Sequence, residues 1–509
     1  MNRRASEYKP LLFTTTLRNP ERLKWFLRVL KDYDGKILTN GLAEEIAGEL
    51  IKSGLYKPTR LSDAVKKKIE EKEILSDKEV AKVLKDNPQN HKEAGFNKGW
   101  PSRFDTWFKI AKELGFVFYK MGEKIQFSEI GSKLVDNEHP EFEQQAFLNA
   151  FVKYQSNNPF RRVLNENVPL ILLLEVVQKL NADKDFNDAG ISKLELPLII
   201  FWKDNNAEEL YQRIKKLRKD FGYSPTWEII ADICREEIME GKDIVRDDES
   251  IMVDYPDEFI RKMRLTGLIS LRGGGRFVDI NKNEQARVDY VLKTYSTYSK
   301  YESEEKYFEY ISKIDANLVS VVAKPITVAE QDEYLKKWVG IYPWDTIRAE
   351  MLNLSNRHLT KDEILKYLSN PVRLEFLAAL AVKSKFPDIR VIPNYAVDDE
   401  GLPTSTAAGV GNTGDIECFE DVNGILIEVT MSEGRTQTMM EVWPIARHLQ
   451  EFGKKTTSSM CYFVAPSIYS DSIKQIEYVN REDNILIVPK TIERFLEHLD
   501  ESSVLYYKI

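Results

Sequence analysis

Three carboxylates and one histidine follow one another at regular spacing between residues 414 and 448. Asp415 precedes a strand-like run, Glu428 lies 13 residues later near the end of another, Glu441 follows after 13 more, and His448 after seven. Acidic side chains at neighbouring strand ends can hold Mg²⁺ through oxygen ligands. Such an ion lowers the pKa of a bound water and stabilises charge on a phosphate. The spacing predicts a metal-dependent site for phosphodiester hydrolysis.

Further residues of this region are candidates for the same site. The carbonyl of Val429 can supply another oxygen, and Glu375 on the preceding predicted helix can reach the same ion. Glu441 and His448, seven apart on a predicted helix, share one face. A histidine beside carboxylates is a candidate general acid or base near neutral pH. Arg435, just before that helix, is a candidate phosphate contact.

A simpler interpretation competes with this one. Asp415 and Glu428 can be solvated residues at strand ends, and a glutamate and a histidine seven apart on a helix are commonly surface residues. However, isoleucine and leucine surround Glu428, and an idle charge among apolar side chains is costly. The apolar surroundings therefore favour a functional role.

Length and composition limit the class of protein. A chain of 509 residues is too long for one hydrophobic core, so several domains are expected. The net charge is −8, with the acidic excess in residues 301–509. Three scattered cysteines without a CxxC pair argue against a disulfide framework or a zinc ribbon. No apolar run approaches the ~20 residues of a membrane helix, and no signal peptide is evident. A cytoplasmic protein without a membrane partner is predicted.

The elements around the carboxylates alternate between strands and helices. Five strand-like runs after residue 371, with helical segments between them, predict an α/β domain over residues 366–509. Residues 291–365 have a helical pattern without strand runs, so they are predicted to form a helical linker.

The N-terminal half contains a helix followed by a hairpin twice. Residues 100–127 and 257–280 each have the order helix, strand, glycine turn, strand. In a winged helix this order places one helix in the DNA major groove and the hairpin against the backbone. We therefore predict two winged-helix-like DNA-recognition subdomains, residues 1–140 and 141–290, within a multidomain α/β plus α+β chain. Residues 167–200 are strongly apolar and are predicted to be buried helices.

Basic residues accompany both predicted recognition helices. Lys98 and Arg103 bracket the start of the first, and Arg261, Lys262 and Arg264 lie on the second. Charge runs are commonly solvated faces, but here they fall on the elements that a winged helix presents to double-stranded DNA. These five residues, with Arg435, are the predicted DNA contacts.

Several motifs of the chain resemble the AlwI-type restriction endonucleases, a family that includes type IIS enzymes and strand-specific nicking endonucleases. The resemblance is carried by Leu374–Leu377, Ala407–Gly409, Gly414–Glu417, Ile427–Thr430, Thr436–Glu441 and Arg447–His448. It implies a variant of the PD-(D/E)xK nuclease fold in the C-terminal domain. It also implies that Glu375, Asp415 and Glu428 bind the metal beside Val429, and that Glu441 and His448 are further active-site residues.

The implied activity is cleavage a few bases outside a short asymmetric DNA site, dependent on Mg²⁺ and leaving 5′-phosphate and 3′-hydroxyl ends. One departure from the wider nuclease superfamily is Thr430, which replaces the final lysine. Glu441 or His448 is then expected to assist the attacking water. Two alternatives stay open: a nicking endonuclease of the same family, and a DNA-binding regulator with an inactive nuclease domain. Cutting both strands would need a transient homodimer, a second subunit, or a second binding event.

Overall fold

The protein is a mixed α/β chain of two compact units. The computed structural model describes residues 20–70, 73–136, 142–186, 190–240, 247–404, 413–434, 437–438 and 441–506. The first unit spans residues 20–69 and 74–324, and the second spans residues 325–506. Among the helices described, none is long and apolar enough to cross a membrane.

The first unit opens with helices around an aromatic core. Phe26 packs edge-on against Trp107, with ring centroids 5.7 Å apart. Residues 61–85 contain two helices, and Ser76 and Glu79 form a capping box that starts the second one. The elements are α1 (Pro20–Lys31), α2 (Asn40–Lys52), α3 (Asp63–Glu70), α4 (Asp77–Asp86), α5 (Trp100–Glu113), β1 (Val117–Phe118), β2 (Gln126–Phe127) and α6 (Glu129–Val135).

The rest of the first unit is helical with one small sheet. Its helices are α7 (Phe142–Lys153), α8 (Pro169–Ala182), α9 (Leu196–Phe201), α10 (Ala207–Phe221), α11 (Trp227–Asp232), α12 (Tyr255–Arg264), α13 (Gln285–Tyr295), α14 (Glu304–Ser312) and α15 (Ala316–Ser320). Its strands are β3 (Ile191–Ser192), β4 (Ile269–Arg272) and β5 (Phe277–Ile280), in the antiparallel order β3-β5-β4. Two π-helical turns, Ile233–Ile238 and Ser250–Asp254, and a 3₁₀ turn, Lys282–Glu284, complete it.

Both predicted helix–hairpin segments are present, as α5 with β1 and β2 and as α12 with β4 and β5. The second hairpin turns through three glycines, Gly273–Gly275, all with positive φ. The apolar run 167–200, predicted as buried helices, contains α8 and most of α9 but also β3. Ile191 forms that short strand because it pairs with Val278 of β5.

The second unit surrounds a five-stranded sheet. The predicted linker 291–365 contributes to both units, because α13–α15 lie in the first and the next two helices in the second. The elements are α16 (Val328–Ile341), α17 (Trp344–Ser355), a 3₁₀ turn (Leu365–Tyr367), α18 (Asn370–Lys385), β6 (Arg390–Pro393), β7 (Ile416–Glu420), β8 (Asn423–Val429), α19 (Val442–Gly453), β9 (Ser458–Ala465), α20 (Ser470–Glu482), β10 (Ile487–Thr491) and α21 (Ile492–Glu501).

The sheet has the order β10-β9-β8-β7-β6, and all five predicted strands take part. β6, β7 and β8 are antiparallel, whereas β8, β9 and β10 are parallel. The parallel crossovers are α19 and α20, which bury Leu426, Cys461 and Phe463 on one face. Tyr462, which alternation places on the other face, packs against Phe495 of α21. The ends of β8, β9 and β10 therefore meet the start of β7 at one sheet edge.

Gly131 offers a test of packing in the first unit. A Cβ on Gly131 of α6 would lie 1.9 Å from the carbonyl oxygen of Phe116, whereas a Cβ on Gly41 of α2 has no neighbour closer than 3.8 Å. Gly131→Ala is expected to destabilise the unit by about 3 kcal/mol, because backbone must move. Gly41→Ala should stay within about 1 kcal/mol of wild type. Differential scanning calorimetry measures both, and equal melting of the two variants would contradict this packing.

Candidate active site

Asp415 and Glu428 lie side by side at the edge where β7 begins and β8 ends. The β7–β8 ladder pairs Ile416 with Ile427, so Asp415, the residue before β7, lies opposite Glu428 of β8. The backbone N–H of Val429 donates to Oδ2 of Asp415 at 2.8 Å. A Cβ on Gly414 would stand 2.6 Å from Oε1 of Glu428, so glycine leaves the room that this carboxylate occupies.

Glu375 of α18 joins these two carboxylates to make a buried acidic group. Glu375 is 8% exposed and Glu428 6%. Burial, followed by the charge of Asp415, raises the pKa of Glu375 well above its ordinary value. Burial and the charge of Glu428 do the same to the pKa of Asp415. Burial and the charges of Glu441 and Glu375 raise the pKa of Glu428. The three acids therefore disfavour one another's ionised forms.

In the part of the chain that the structure describes, no lysine or arginine pairs with these three acids. Within the described ranges, Glu375 and Asp415 have no ion pair, and the only ionisable base on Glu428 is His448, whose Nδ1 lies 2.8 Å from Oε1. Burial and the charge of Arg447 lower the pKa of His448. A neutral imidazole that donates its Nδ1–H to Glu428 fits both observations. His448 therefore orients the carboxylate without neutralising it.

Glu441 reaches the same edge from the start of α19. The hydroxyl of Thr430 donates to Oε1 of Glu441 at 2.9 Å, and the N–H of Thr430 donates to the carbonyl of Val464 at 3.0 Å. Glu441 precedes α19 and His448 lies two turns into it, so one helix delivers both side chains to β8. The structure thus brings together all five predicted catalytic residues and the backbone of Val429.

The donor chemistry of this edge fits a hydrated divalent cation. Among the residues that the structure describes, no three histidine, cysteine, aspartate or glutamate side chains form a ready metal cage. Mg²⁺ commonly takes one or two protein carboxylates and keeps several waters or phosphate oxygens. Asp415 and Glu428 supply that many hard oxygen ligands, and a cation between them would offset the repulsion. Glu375 is a further acid whose charge is felt at Glu428.

Two amide side chains hold the backbone around the site; Gln437 lies in a motif that carries the family resemblance, whereas Asn394 carries no signal in the sequence. Asn394, one residue beyond β6, donates its N–H to the carbonyl of Asp415 at 2.9 Å and its side-chain amide to the carbonyl of Gly414. Gln437, fully buried, donates to the carbonyls of Ser432 and Ser467 at 3.1 and 3.0 Å. These amides bind backbone groups distant in sequence, and no periodicity marks such contacts. Together they fix the loops on both sides of the carboxylates.

The predicted DNA contacts near α5 differ in exposure. Lys98 is exposed immediately before α5. Arg103 is half-buried, with Nη1 2.8 Å from Nε2 of His91 and its guanidinium 5.3 Å from the ring of Trp107. Lys98 is therefore the residue of this pair that is open to a ligand, and Arg103 contributes to the packing of its own unit.

The predicted contacts on α12 are mostly internal. Arg261 is partly exposed and donates to Asp257 at 2.8 Å. Lys262 and Arg264 are buried, at 3% and 2% exposure, and Lys262 lies 3.1 Å from Glu258. Arg261 is the residue of the three nearest to the surface. Arg435 lies outside the described residues, so its predicted phosphate contact has no structural account.

Comparisons with known proteins identify relatives of this chain. A family model described as AlwI restriction endonuclease matches residues 112–331 and 330–498. No curated protein matches. The small subunit of the heterodimeric restriction endonuclease R.BspD6I is a structural match at 23% identity over 31% of this chain and 78% of that chain, with a TM-score of 0.27.

Two further solved structures match over longer stretches. The BpuJ1 endonuclease binding domain, solved with pyrene- and phenanthrene-modified DNA, has 15% identity over 57% of this chain and 90% of that chain, with a TM-score of 0.32. Restriction endonuclease FokI has 12% identity over 95% of each chain, with a TM-score of 0.24.

The repulsion among the acids makes the stability of the metal-free protein depend on pH. The pKa of Glu428 is raised in the folded protein. The stability that this carboxyl group contributes is therefore fully present below its unfolded-state pKa and is lost as pH rises through its folded-state pKa. Glu428→Gln keeps an acceptor for His448 but carries no charge. With EDTA present, we expect it to melt several degrees above wild type at pH 8, with a smaller difference at pH 5.5.

Glu451→Gln is the matched control, since Glu451 is an exposed carboxylate on α19 that pairs with Lys454. It should melt within about a degree of wild type at both pH values, because surface ion pairs contribute little. Equal or lower stability of Glu428→Gln at pH 8 would show that the acids do not repel one another in the folded protein.

Proposed function

Because the chain belongs to the AlwI restriction endonuclease family, we propose that it is a type IIS restriction endonuclease. It binds a short asymmetric site in double-stranded DNA and hydrolyses phosphodiester bonds a few bases outside that site. Hydrolysis depends on Mg²⁺ and leaves 5′-phosphate and 3′-hydroxyl ends. The observation that carries the proposal is the convergence of Glu375, Asp415 and Glu428 on one sheet edge without a basic partner that neutralises them.

The sheet itself supports a PD-(D/E)xK-like cleavage domain. Asp415 and Glu428 come from the paired antiparallel strands β7 and β8, and parallel crossovers follow. Thr430 stands where the superfamily has its final lysine, and its hydroxyl is engaged by Glu441. The proposed cleavage domain, residues 366–509, lies within the second compact unit, which has its own core.

The first unit supports the proposed recognition role. Residues 1–140 and 141–290 are proposed as two winged-helix-like subdomains, and residues 291–365 as the linker. Each subdomain contains a helix followed by a hairpin, and Lys98 and Arg261 lie at or near the surface at those helices. Recognition and cleavage in separate compact units suit cutting outside the bound site.

The residues at this sheet edge have separate proposed roles in hydrolysis. Asp415 and Glu428 would hold the cation, which when bound would stabilise charge on the phosphate and lower the pKa of a bound water. His448 Nδ1–H fixes the orientation of Glu428. Thr430 fixes one oxygen of Glu441, and the other oxygen accepts the proton of the attacking water. Attack proceeds in line with the departing 3′ oxygen.

A nicking endonuclease of the same family is the second candidate. The described residues contain one such group of carboxylates at a sheet edge, and one catalytic centre cuts one DNA strand at a time. Cutting both strands then needs a transient homodimer or a second subunit. A non-catalytic DNA-binding regulator is the remaining alternative, and it predicts that Mg²⁺ leaves bound DNA intact.

Supercoiled plasmid with Mg²⁺ distinguishes these candidates. Wild type should convert it to linear product, whereas a nickase stops at open circles. Asp415→Asn and Glu428→Gln should each lower the rate at least about a thousandfold, because charge stabilisation at the phosphate is lost. Glu451→Gln should cut like wild type. A wild type no faster than Asp415→Asn would refute the nuclease proposal.

Binding of Mg²⁺ should release protons and tighten as pH rises. The pKa values of Asp415 and Glu428 are raised in the metal-free protein, and a bound cation favours their ionised forms. Calorimetric titration in two buffers of different ionisation enthalpy at each of pH 6, 7 and 8 measures the proton count. Binding that is independent of both pH and buffer would mean that the ion does not contact this acidic edge.

A further inference from the structure

The two helices predicted to enter the DNA groove offer little surface to a ligand. Every side chain of α5 and of α12 is buried or partly buried. Those of α5 form part of the aromatic core, where Trp107 packs against Phe26. A helix that reads a major groove must expose one face to the DNA. If the first unit binds DNA, other elements must therefore supply contact surface.

The helix before α5, α4, carries three exposed lysines along one side. Lys78, Lys82 and Lys85 occupy positions i, i+4 and i+7, which share one side of a helix. Val80 and Val83 are buried on the opposite side, and α4 packs against α2. The three lysines are the lysine face of α4, which points away from the core.

The acidic residues of α4 are directed elsewhere. Oδ1 of Asp77 lies 2.8 Å from Nζ of Lys52 on α2, and Oε1 of Glu79 lies 2.8 Å from Nζ of Lys68 on α3. Asp86, the last residue of the helix, is exposed. In the part of the chain that the structure describes, no lysine of the lysine face pairs with a carboxylate.

The other strongly basic helix of this unit, α10, differs in this respect. Most of its basic side chains are already paired with acids, so they serve the packing of their own unit. The ion pairs are Arg213–Glu237, Lys215–Asp183, Arg218–Glu195 and Lys219–Asp185. The lysine face of α4 has no such internal partners, so its charge is available to a ligand.

The lysine face ends near the exposed cation that precedes α5. The indole Nε1 of Trp100 donates to the carbonyl of Leu84 at 3.0 Å, which joins the start of α5 to the end of α4. Lys85 follows Leu84 directly, and exposed Lys98 lies two residues before Trp100. The basic surface of α4 is therefore continuous with the segment that was predicted to contact DNA.

We propose that the lysine face of α4 binds the phosphate backbone of double-stranded DNA and orients the first unit on it without reading sequence. The inference rests on the proposed function, because it takes DNA as the ligand of this unit. Exposed ammonium groups without protein carboxylates complement phosphates. Seven residues of helix span about 10 Å, which is the rise of about three base pairs. In a helix-turn-helix arrangement, the helix before the recognition helix likewise crosses the backbone.

The salt dependence of DNA binding tests this surface. A triple variant with Lys78→Gln, Lys82→Gln and Lys85→Gln removes the three charges and keeps a similar helix propensity. Binding of the full chain to a fluorescent duplex of mixed sequence is followed by anisotropy in EDTA, between about 50 and 200 mM salt. The slope of the logarithm of the binding constant against that of the salt concentration should become shallower by about three, and Kd should rise at least about tenfold.

The matched control is a second triple variant, in which three exposed lysines of the same unit that already pair with acids become glutamine. They are Lys203, which pairs with Glu209, Lys219, which pairs with Asp185, and Lys306, which pairs with Glu302. Its net charge changes by the same amount, but its slope should stay within about one of the wild-type value. Arginine in place of the three lysines of α4 should preserve the wild-type slope, because the cations remain.

The outcomes separate this inference from the function on which it rests. Equal slopes for wild type and the α4 glutamine variant would overturn the proposal, and so would equal losses in both glutamine variants, which would indicate a response to net charge alone. If the wild type cuts plasmid with Mg²⁺ and the slope is unchanged, the nuclease stands without this surface. If the wild type binds DNA with the expected slope change but does not cut, the surface stands and the nuclease fails.

Discussion

The second unit depends on one unfavourable interaction, the repulsion among buried carboxylates at a sheet edge. Burial raises the pKa of Glu375, Asp415 and Glu428, and neighbouring negative charge from other acids of the group acts in the same direction. The chain places no described lysine or arginine among them. The sheet must therefore supply the stability that the edge lacks, and helices packed on both faces of β8 and β9 provide it. The packing of the sheet thus offsets the unfavourable interaction at its edge.

This constraint explains how the neighbouring elements are used. α19 packs Ile445 and Leu449 on the sheet while the same helix directs His448 to Glu428. Glu441, at the start of this helix, accepts a hydrogen bond from the hydroxyl of Thr430. Each contact orients a carboxylate, and none contributes a fixed positive charge. Among the described residues, these acids therefore gather at the edge without a lysine or arginine paired to them.

The sequence was informative where neighbours in space are also neighbours along the chain. Asp415 and Glu428 belong to one hairpin, so strand length and a short turn already predict that they meet. The five strands alternate with helices and are recognisable from their apolar runs. Asn394 could not be found this way, because it follows β6 and its hydrogen bonds reach Gly414 and Asp415 before β7. The burial of Lys262 was equally hidden, since its partner Glu258 lies one turn away on what reads as a charged helix.

Thr430 shows why the missing lysine matters physically. A lysine at that position would place an ammonium near Glu428, which would lower the pKa of Glu428 and favour its ionised form without metal. Thr430 instead donates a neutral hydrogen bond to Glu441 and leaves the charge of the edge unchanged. In the proposed function, a bound cation would then supply the main positive charge at this edge.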